Sequence, residues 1–315
     1  MNVAAPKREF IRGSHNLRTD HHGNVVTIGS FDGVHLGHQA ILKQVQLQAE
    51  ILGLPSAVMV FEPQPHEFFS GEKAPARLMR LKEKVKALFA EGVDRVFCLP
   101  FNEALSLQSA NDFIDQVLVE GLGTQYLVVG DDFRFGAQRA GDYEHLEAAG
   151  QRHGFTVTDT KSFVIDGERV SSTRIRQLLE DNDFEAAARL LGKPYTISGK
   201  VVKGNQLGRE LGAPTANVHL HRYRSPLAGV FAVEVGLPSK EVVTGVANVG
   251  VRPTLGGDEK PILEVHLFDR DDNLYDHDIV VEFKSKLREE QKFEGLHQLK
   301  TQIQQDIQQA RLFFS

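Results

Sequence analysis

The 315-residue sequence contains no tryptophan and a single cysteine, Cys98. One cysteine cannot form an internal disulfide, and its apolar neighbours predict a small buried side chain. The longest uninterrupted apolar run is five residues, at 57–61, whereas a membrane-spanning helix needs about 20. The opening residues also lack the apolar core of a signal peptide. These absences predict a cytoplasmic protein that has no membrane partner.

A basic excess is also missing. The sequence carries 36 lysines and arginines against 42 aspartates and glutamates, and the net charge of −6 falls entirely within residues 1–192. Residues 193–315 contain equal numbers of acidic and basic side chains. Nucleic-acid-binding proteins normally show the opposite balance, so no nucleic-acid partner is expected. An anionic substrate would have to be held by local groups.

Residues 1–192 alternate short apolar segments with longer amphipathic ones. The apolar segments lie at 25–28, 57–61, 96–99, 126–129 and 155–158, and the amphipathic ones at 40–52, 81–91, 110–120 and 143–153. This alternation predicts an α/β fold with a parallel sheet and helices on both of its faces. Ser109, with Asp112 three residues later, and Asp183 are expected to cap helices.

The pattern changes after Lys193-Pro194. Short β-branched segments follow at 197–202, 230–235, 242–249, 262–268 and 279–283, separated by Gly, Pro and Asp-Asn turns. This spacing is typical of antiparallel hairpins, and we predict a small β-barrel followed by a C-terminal helix at 296–314. The sequence therefore predicts two domains, 1–192 and 193–315.

The sharpest local pattern lies where the first predicted strand meets the first helix. It reads Gly29-Ser30-Phe31-Asp32-Gly33-Val34-His35-Leu36-Gly37-His38. The glycines let the backbone approach a phosphate, the helix start offers unpaired N–H groups, and the two histidines supply ring N–H donors. Because ligands of parallel sheets bind at the carboxyl ends of the strands, the turn predicts a phosphate site.

Two other interpretations of His35 and His38 stay open. Their spacing also suits zinc, although Cys or His partners at metal spacing are missing nearby in the sequence, and the pair can be purely structural. No Walker A loop is present, since Gly199-Lys200 is followed by Val201. Any nucleotide must therefore be bound without one.

A second anion-binding pattern begins a later predicted helix. It reads Arg169-Val170-Ser171-Ser172-Thr173-Arg174-Ile175-Arg176 and places hydroxyls in the first helical turn with arginines around them. A helix start with fixed positive charge favours phosphate, whereas the hydroxyls alone would serve as helix caps. Together with the histidine turn, this pattern suggests two contacts to one triphosphate.

These motifs together resemble a known family. In chain order, the histidine turn, Phe61-Glu62-Pro63-x-Pro65, Gly130-Asp131-Asp132-Phe133-Arg134-Phe135-Gly136 and the Arg169–Arg176 pattern resemble the N-terminal module of the bacterial bifunctional riboflavin kinase/FMN adenylyltransferase family, also called FAD synthetase. The resemblance implies a Rossmann-like nucleotidylyltransferase domain that joins FMN to the AMP part of ATP and releases pyrophosphate.

The resemblance also implies roles for single residues of the first domain. His35 and His38 would be catalytic and hold the ATP phosphates in the transition state. Contacts to ATP and its phosphates are implied for Gly29, Phe31, Asp32, Gly33, Gly37, Arg169, Ser172, Thr173 and Arg176. Contacts to the flavin are implied for Asp132, Phe133 and Phe135. Because the FMN phosphate is already a nucleophile, such an enzyme needs mainly alignment and charge neutralisation.

The resemblance continues through the second domain. Four ordered segments are similar to riboflavin kinase signatures: Gly208 to Asn217, Gly245 to Thr254, Glu264 to Leu267, and Leu287 to Phe293. Transfer of the ATP γ-phosphoryl group to an alcohol needs a proton acceptor and a metal ion for the phosphate charge. By resemblance Glu264 is the base, Thr215 and Asn217 hold Mg²⁺, Gly204 and Gly212 contact ATP, and Arg288 lies near the flavin.

A lone glutamate on an alternating strand would otherwise be interpreted as an outward-facing residue. With the resemblance, we expect a bifunctional enzyme that uses riboflavin, FMN and ATP with Mg²⁺ and produces FMN and FAD, as a monomer or weak homo-oligomer. The alternatives are a nucleotidylyltransferase for another substrate, and a flavin-binding or regulatory protein without chemistry. A pure binder would have no need of a base beside a metal site.

Overall fold

A computed structural model describes residues 8–130, 132–160, 162–203, 212–253, 259–270 and 273–315, with 252, 253, 259 and 260 described by their backbone alone. The predicted ATP-binding residue Gly204 lies outside the described residues. The chain divides into two compact units, Met1–Lys73 with Leu81–Ser171 and Ala74–Arg80 with Ser172–Ser315. The second unit thus takes in a short segment from the first half of the chain.

The first unit is built on a six-stranded parallel sheet. Its strands are β1 (Glu9–Arg12), β2 (Asn24–Ile28), β3 (Ser56–Glu62), β4 (Arg95–Pro100), β5 (Thr124–Gly130) and β6 (Thr156–Thr160). They are hydrogen-bonded in the order β1-β4-β3-β2-β5-β6. The five predicted strands are confirmed in position. Sequence reasoning missed β1, because this edge strand buries a single residue, Ile11.

Helices connect these strands. They are α1 (Leu36–Leu52), α2 (Pro65–Ser70), α3 (Leu81–Ala90), α4 (Glu103–Leu107), α5 (Ala110–Phe113), a π-helix (Ile114–Gly121) and α6 (Tyr143–His153). The hydroxyl of Ser109 accepts the backbone N–H of Asp112 at 3.1 Å, as expected for a capping residue. Two short strands, β7 (Val164–Ile165) and β8 (Glu168–Arg169), form an antiparallel hairpin after β6.

Both faces of the sheet are covered, because alternate residues of a strand point to opposite sides. Val25 and Val128 pack with Val45 and Ala49 of α1. Their strand neighbours pack in a separate, larger cluster with residues of α5, the π-helix and α6; its members include Val26, Leu127, Val129, Phe113, Leu118 and Leu146. The expectation of helices on both faces is therefore confirmed.

The strand order reverses at β2. Chain connections run from β2 through β3 to β4 on one side, and then cross to β5 and β6 on the other. Parallel sheets leave a crevice outside the carboxyl ends of the strands at such a reversal, and ligands bind there. In this chain the two segments beside the crevice are the turn after Ile28 and the loop after Gly130.

The second unit contains a closed antiparallel barrel. Its strands are β9 (Thr196–Val202), β10 (Ala216–His219), β11 (Gly229–Gly236), β12 (Val242–Pro253), β13 (Glu259–Leu267) and β14 (Asp278–Arg288). They pair in the order β10-β13-β12-β11-β14-β9, and β9 pairs with β10 to complete the closure. The predicted barrel is confirmed. The short strand β10 was not predicted, since it lies inside a motif rich in turn-forming residues.

In the part of this unit that the structure describes, the helices are α7 (Ser172–Glu180), α8 (Phe184–Leu191) and α9 (Leu296–Phe313). The side chain of Asp183 caps α8 by accepting the N–H of Ala186 at 2.9 Å. The C-terminal helix α9 covers the outside of β11 and β12, where Ala310 packs against Val230 and Val246. Within the described ranges, no helix has the length and apolar character needed to cross a membrane.

The segment Ala74–Arg80 is held in the second unit by hydrogen bonds to its backbone. The buried guanidinium of Arg222 donates to the carbonyl of Arg77 at 2.8 Å, and the hydroxyl of Tyr195 donates to the carbonyl of Leu78 at 3.2 Å. Leu78 itself is fully buried. Arg222 and Tyr195 therefore depend on partners that precede residue 193 in the chain.

The predicted domain boundary can be tested with two fragments. We expect residues 193–315 to fold alone and phosphorylate riboflavin, since all predicted kinase residues lie within them. A fragment 172–315 should melt at a higher temperature, because it retains α8, whose Phe184 contacts Phe231 of the barrel with ring centroids 6.0 Å apart. Thermal melting and a kinase assay measure both effects. A cooperatively melting 193–315 fragment without kinase activity would show that earlier residues complete the site.

Candidate functional site

The turn after β2 has a backbone that few sequences adopt. Phe31 and Val34 have φ values of 45° and 43°, and Gly33 has 90°. Positive φ is unfavourable for residues with a Cβ and persists only where surrounding packing enforces it. Phe31, Asp32 and Val34 are all nearly fully buried. The turn is therefore rigid before any ligand arrives, as a phosphate-binding loop requires.

The two histidines of this turn are in direct contact. His35 is the N-cap of α1, and its Nδ1 accepts the backbone N–H of His38 at 3.3 Å. An acceptor Nδ1 puts the proton of the neutral ring on Nε2. The rings of His35 and His38 stack with centroids 3.6 Å apart. The ring of Phe31 contacts the His38 ring, with centroids 4.8 Å apart. His38 is thus sandwiched between His35 and Phe31.

This packing sets the charge of His38. Loss of solvent is the largest cause, followed by the neighbouring His35 and the Lys84 ammonium, and together they hold the pKa of His38 well below its usual value. The ring is therefore neutral at pH 7. It can donate one hydrogen bond to a phosphate oxygen but contributes no positive charge, so any charge neutralisation must come from other groups.

Motifs distant in sequence meet around the turn. A Cβ at Gly37 would lie 3.2 Å from the His35 ring and 3.5 Å from the Val170 carbonyl, so the glycine permits this close approach. Next to Val170, Arg169 forms an ion pair of 3.0 Å with Asp132. A predicted phosphate ligand and a predicted flavin ligand are therefore neighbours. Both are exposed, so the pair itself adds little stability.

A cavity of about 740 Å³ opens at the carboxyl ends of β2 and β5. Gly29 from the histidine turn lines it, as do three predicted flavin residues, Asp132, Phe133 and Phe135. The rings of Phe133 and Phe135 stack at 5.7 Å with an interplanar angle of 17°. An apolar, aromatic cavity with a few polar groups at its rim is the kind of site that binds a planar ligand.

Sequence reasoning missed part of this cavity. Its wall includes Phe69, Phe101 and Phe113, which come from three separate segments, and its rim carries Arg134 and Arg139. Phe69 is 68% exposed. The high phenylalanine count, 20 against no tryptophan, was the only signal available, and it gives no positions.

The remaining predicted phosphate ligands lie in the second unit. Ser172 and Thr173 begin α7. The Nε of Arg176 donates to the carbonyl of Ala76 at 2.5 Å, so this guanidinium also holds the Ala74–Arg80 segment. Gly212 has a φ of 83°, a conformation that favours glycine. Contact of these four residues with phosphate stays a prediction.

Three of the predicted kinase residues lie along one row of the barrel. Asn217 of β10 pairs with Glu264 of β13, Glu264 with Asn248 of β12, Asn248 with Val230 of β11, and Val230 with Arg288 of β14. Directly paired residues of antiparallel strands point to the same face, with Cβ atoms about 5 Å apart. Hydrogen-bond register therefore aligns three residues predicted from separate motifs.

Asn217 presents a buried amide oxygen. Its side chain is 4% exposed, and its Nδ2 donates to the carbonyl of Thr215 at 3.3 Å. Its Oδ1 is buried and has no hydrogen-bond partner among the described residues. A buried amide oxygen next to a threonine fits Mg²⁺, which takes hard oxygen ligands. Within the described ranges no group of three or more His, Cys, Asp or Glu residues could hold a metal, so the zinc interpretation of the histidines finds no further ligands there.

Arg288 is held by the C-terminal helix. Its guanidinium forms a bidentate ion pair with the nearly buried Asp306 of α9, at 2.8 and 2.7 Å, and lies 5.8 Å from the ring of Phe293. Gln302 also donates to Asp306, at 2.9 Å. This arrangement fixes the guanidinium plane, so any flavin contact would be made by a side chain that is already oriented.

Both parts of the chain are similar to known protein families. A family model described as FAD synthetase matches residues 17–174, and one described as riboflavin kinase matches residues 191–314. A bifunctional riboflavin kinase/FMN adenylyltransferase from Pseudomonas fluorescens is 53% identical over 96% of this chain and 97% of its own. The protein of that name from Escherichia coli (strain K12) is 48% identical over 97% of this chain and 98% of its own.

The chain belongs to the bifunctional riboflavin kinase/FMN adenylyltransferase family. The predicted family, its two activities and its fold class are confirmed, and the alternatives without flavin chemistry are not supported. A crystal structure titled as a macrolide-efflux protein from Streptococcus pneumoniae also shares this fold, with 28% identity and a TM-score of 0.75 over 95% of this chain and 97% of that chain. The histidine turn lies in the part of the chain that matches the FAD synthetase model, and the barrel row lies in the part that matches the riboflavin kinase model.

Replacement of His38 tests the first site. Since His38→Ala removes a donor from the rigid turn, FAD formation from supplied FMN should fall about 10²–10³-fold, the usual effect of one preorganised donor. Riboflavin phosphorylation should remain, because the barrel row is untouched. His153→Ala on α6 is the matched control and should leave both rates unchanged. Loss of both activities from a folded His38→Ala protein would contradict the assignment.

The low pKa of His38 also has a consequence for stability. The unfolded chain takes up a proton near the usual histidine pKa of about 6.5, whereas the folded chain takes it up only at lower pH. The stability linked to His38 is therefore fully present above about pH 6.5, and it is lost as the pH falls below this value. The Tm difference between about pH 7.5 and about pH 5.5 should be smaller in His38→Gln than in the native protein. If the Tm difference were equal in the two proteins, burial would not be what keeps His38 neutral.

Proposed function

We propose that the chain carries out its two reactions at two distinct sites, FMN formation on the barrel row and FAD formation at the crevice of the parallel sheet. One observation carries this proposal: in each unit, residues from separate motifs of one activity meet on one surface. Asn217, Glu264 and Arg288 share a cross-strand row, while Gly29 and the loop after Gly130 line one cavity.

For FAD formation, the FMN phosphate attacks the α-phosphorus of ATP and pyrophosphate leaves. The aromatic cavity holds the isoalloxazine ring, and its opening between β2 and β5 directs the rest of FMN toward the histidine turn. His35 and His38 donate hydrogen bonds to phosphate oxygens whose charge rises in the transition state. Arg169 supplies a further phosphate contact. No covalent intermediate with the protein is needed.

For FMN formation, Glu264 accepts the proton of the terminal ribityl hydroxyl as that oxygen bonds to the γ-phosphorus of ATP. ADP is the leaving group. Thr215 and the buried Oδ1 of Asn217 would hold Mg²⁺, which supplies charge neutralisation for the phosphates. Gly204 and Gly212 contribute backbone contacts to ATP. Arg288 orients the flavin, using a guanidinium that Asp306 already fixes.

Three further expectations complete the proposal. The enzyme acts in the cytoplasm, as a monomer or weak homo-oligomer, on small molecules alone, without nucleic acid or membrane. The charge balance, the short apolar runs and the single buried cysteine support them. Sedimentation of the purified protein with and without DNA or vesicles measures both the association state and the partners.

The two reactions can be followed together. Incubation with riboflavin, ATP and Mg²⁺ and separation of the flavins by chromatography should show FMN rising first and FAD following. Supplied FMN should give FAD without a lag, since it enters at the second reaction. FAD that forms directly from riboflavin, with no FMN on the way and no use of supplied FMN, would overturn the proposal.

Glu264→Gln tests the proposed base. Glutamine keeps the size of the side chain but cannot accept the hydroxyl proton, so FMN formation should fall about 10²–10⁴-fold. FAD formation from supplied FMN should not change. Glu234→Gln, on the neighbouring part of the barrel, is the matched control and should retain kinase activity. A near-normal kinase rate in Glu264→Gln would remove this residue from the mechanism.

A further inference from the structure

Asn248 occupies a position in the barrel row to which no role has yet been given. It lies directly opposite Glu264 on β12, as Asn217 does on β10. Glu264 is therefore flanked on both sides by an asparagine on the same face. The Oδ1 of Asn248, like that of Asn217, is buried and accepts no hydrogen bond from any residue that the structure describes.

A buried amide oxygen without a donor is costly unless a ligand supplies one. The groups around Asn248 indicate what kind of ligand this is. Gly250 lies two residues along β12 and hence on the same face, and a Cβ at that glycine would collide with the carboxylate of Glu290. Asn248 is thus paired with Glu264 on β13, and the Glu290 carboxylate lies at Gly250, two residues along β12.

Two carboxylates and an amide oxygen are all hydrogen-bond acceptors. The buried Oδ1 of Asn248 can only accept a hydrogen bond, so it favours a ligand group that donates one over a phosphate oxygen. In the proposed kinase reaction, the phosphates of ATP lie on the Asn217 side of Glu264. The rest of the flavin substrate must then extend to the other side, over Asn248, with Arg288 further along the row. The part of riboflavin next to the reacting hydroxyl is a polyol chain, which carries hydroxyl donors.

We propose that Asn248 is a substrate-binding residue whose Oδ1 accepts a hydrogen bond from a ribityl hydroxyl next to the one that is phosphorylated. Neighbouring strands are about 4.8 Å apart, so a chain with its terminal hydroxyl at Glu264 brings the following hydroxyls to the next strand. Asn248 then selects a flavin with a hydroxylated side chain and holds the terminal oxygen against the base. This inference rests on the proposed kinase site.

The test compares riboflavin with lumiflavin, which has the same ring system and a methyl group in place of the ribityl chain. Asn248→Leu keeps the shape of the side chain without the amide oxygen, and Asn248→Ala removes the oxygen without adding apolar bulk. In both variants the KM for riboflavin in FMN formation should rise about tenfold, the effect of one lost hydrogen bond. The inhibition constant of lumiflavin in the same assay should stay within about twofold of the native value.

Thr244→Val, on the same face of β12 four residues away, is the matched control and should change neither constant. Thermal melting serves as the folding control for every variant. Equal weakening of riboflavin and lumiflavin would show a structural role and overturn the proposal. An altered Mg²⁺ dependence with unchanged riboflavin KM would instead make Asn248 a metal ligand and also overturn it. Absence of FMN formation in the native protein would reject the kinase site itself.

Discussion

Backbone hydrogen-bond register is the constraint on which both sites depend. In the parallel sheet, the register and the reversal of strand order at β2 bring the ends of β2 and β5 together, so that two loops face one crevice. In the barrel, the register aligns Asn217, Glu264 and Asn248 although 47 positions separate the first two in sequence. A slip of one residue in either sheet would turn these side chains to the opposite face.

The electrostatic design follows from the same packing. The first 192 residues are net acidic, yet their substrates are phosphates. His38 does not resolve this by charge, because burial lowers its pKa and keeps the ring neutral. The two stacked histidines offer oriented N–H donors instead, and the nearby positive charge comes from Arg169, which Asp132 holds in place. In the barrel the chemistry is reversed: the buried amide oxygens of Asn217 and Asn248 flank Glu264, and these acceptors suit a cation or hydroxyl donors.

Sequence reasoning predicted what has a local signature. The apolar segments predicted the strands that are most buried. The glycine and histidine turn predicted a phosphate site, because the residues of this pattern lie within ten consecutive positions. Edge strand β1 and short strand β10 bury too few residues to show an alternating apolar pattern. The aromatic wall of Phe69, Phe101 and Phe113 forms only when distant segments meet. The role proposed for Asn248 depends on the hydrogen-bond register between two strands. Such relations are properties of the fold, and a single sequence does not display them.

The origin of each phosphorus atom in FAD tests most directly the claim that one chain performs both transfers. The protein is incubated with riboflavin and ATP labelled with one phosphorus isotope at the γ position and another at the α position. The account predicts FAD with γ-derived and α-derived phosphorus in equal amounts, and dilution of the γ label alone when unlabelled FMN is added. FAD without γ-derived phosphorus, or γ label that FMN does not dilute, would contradict it.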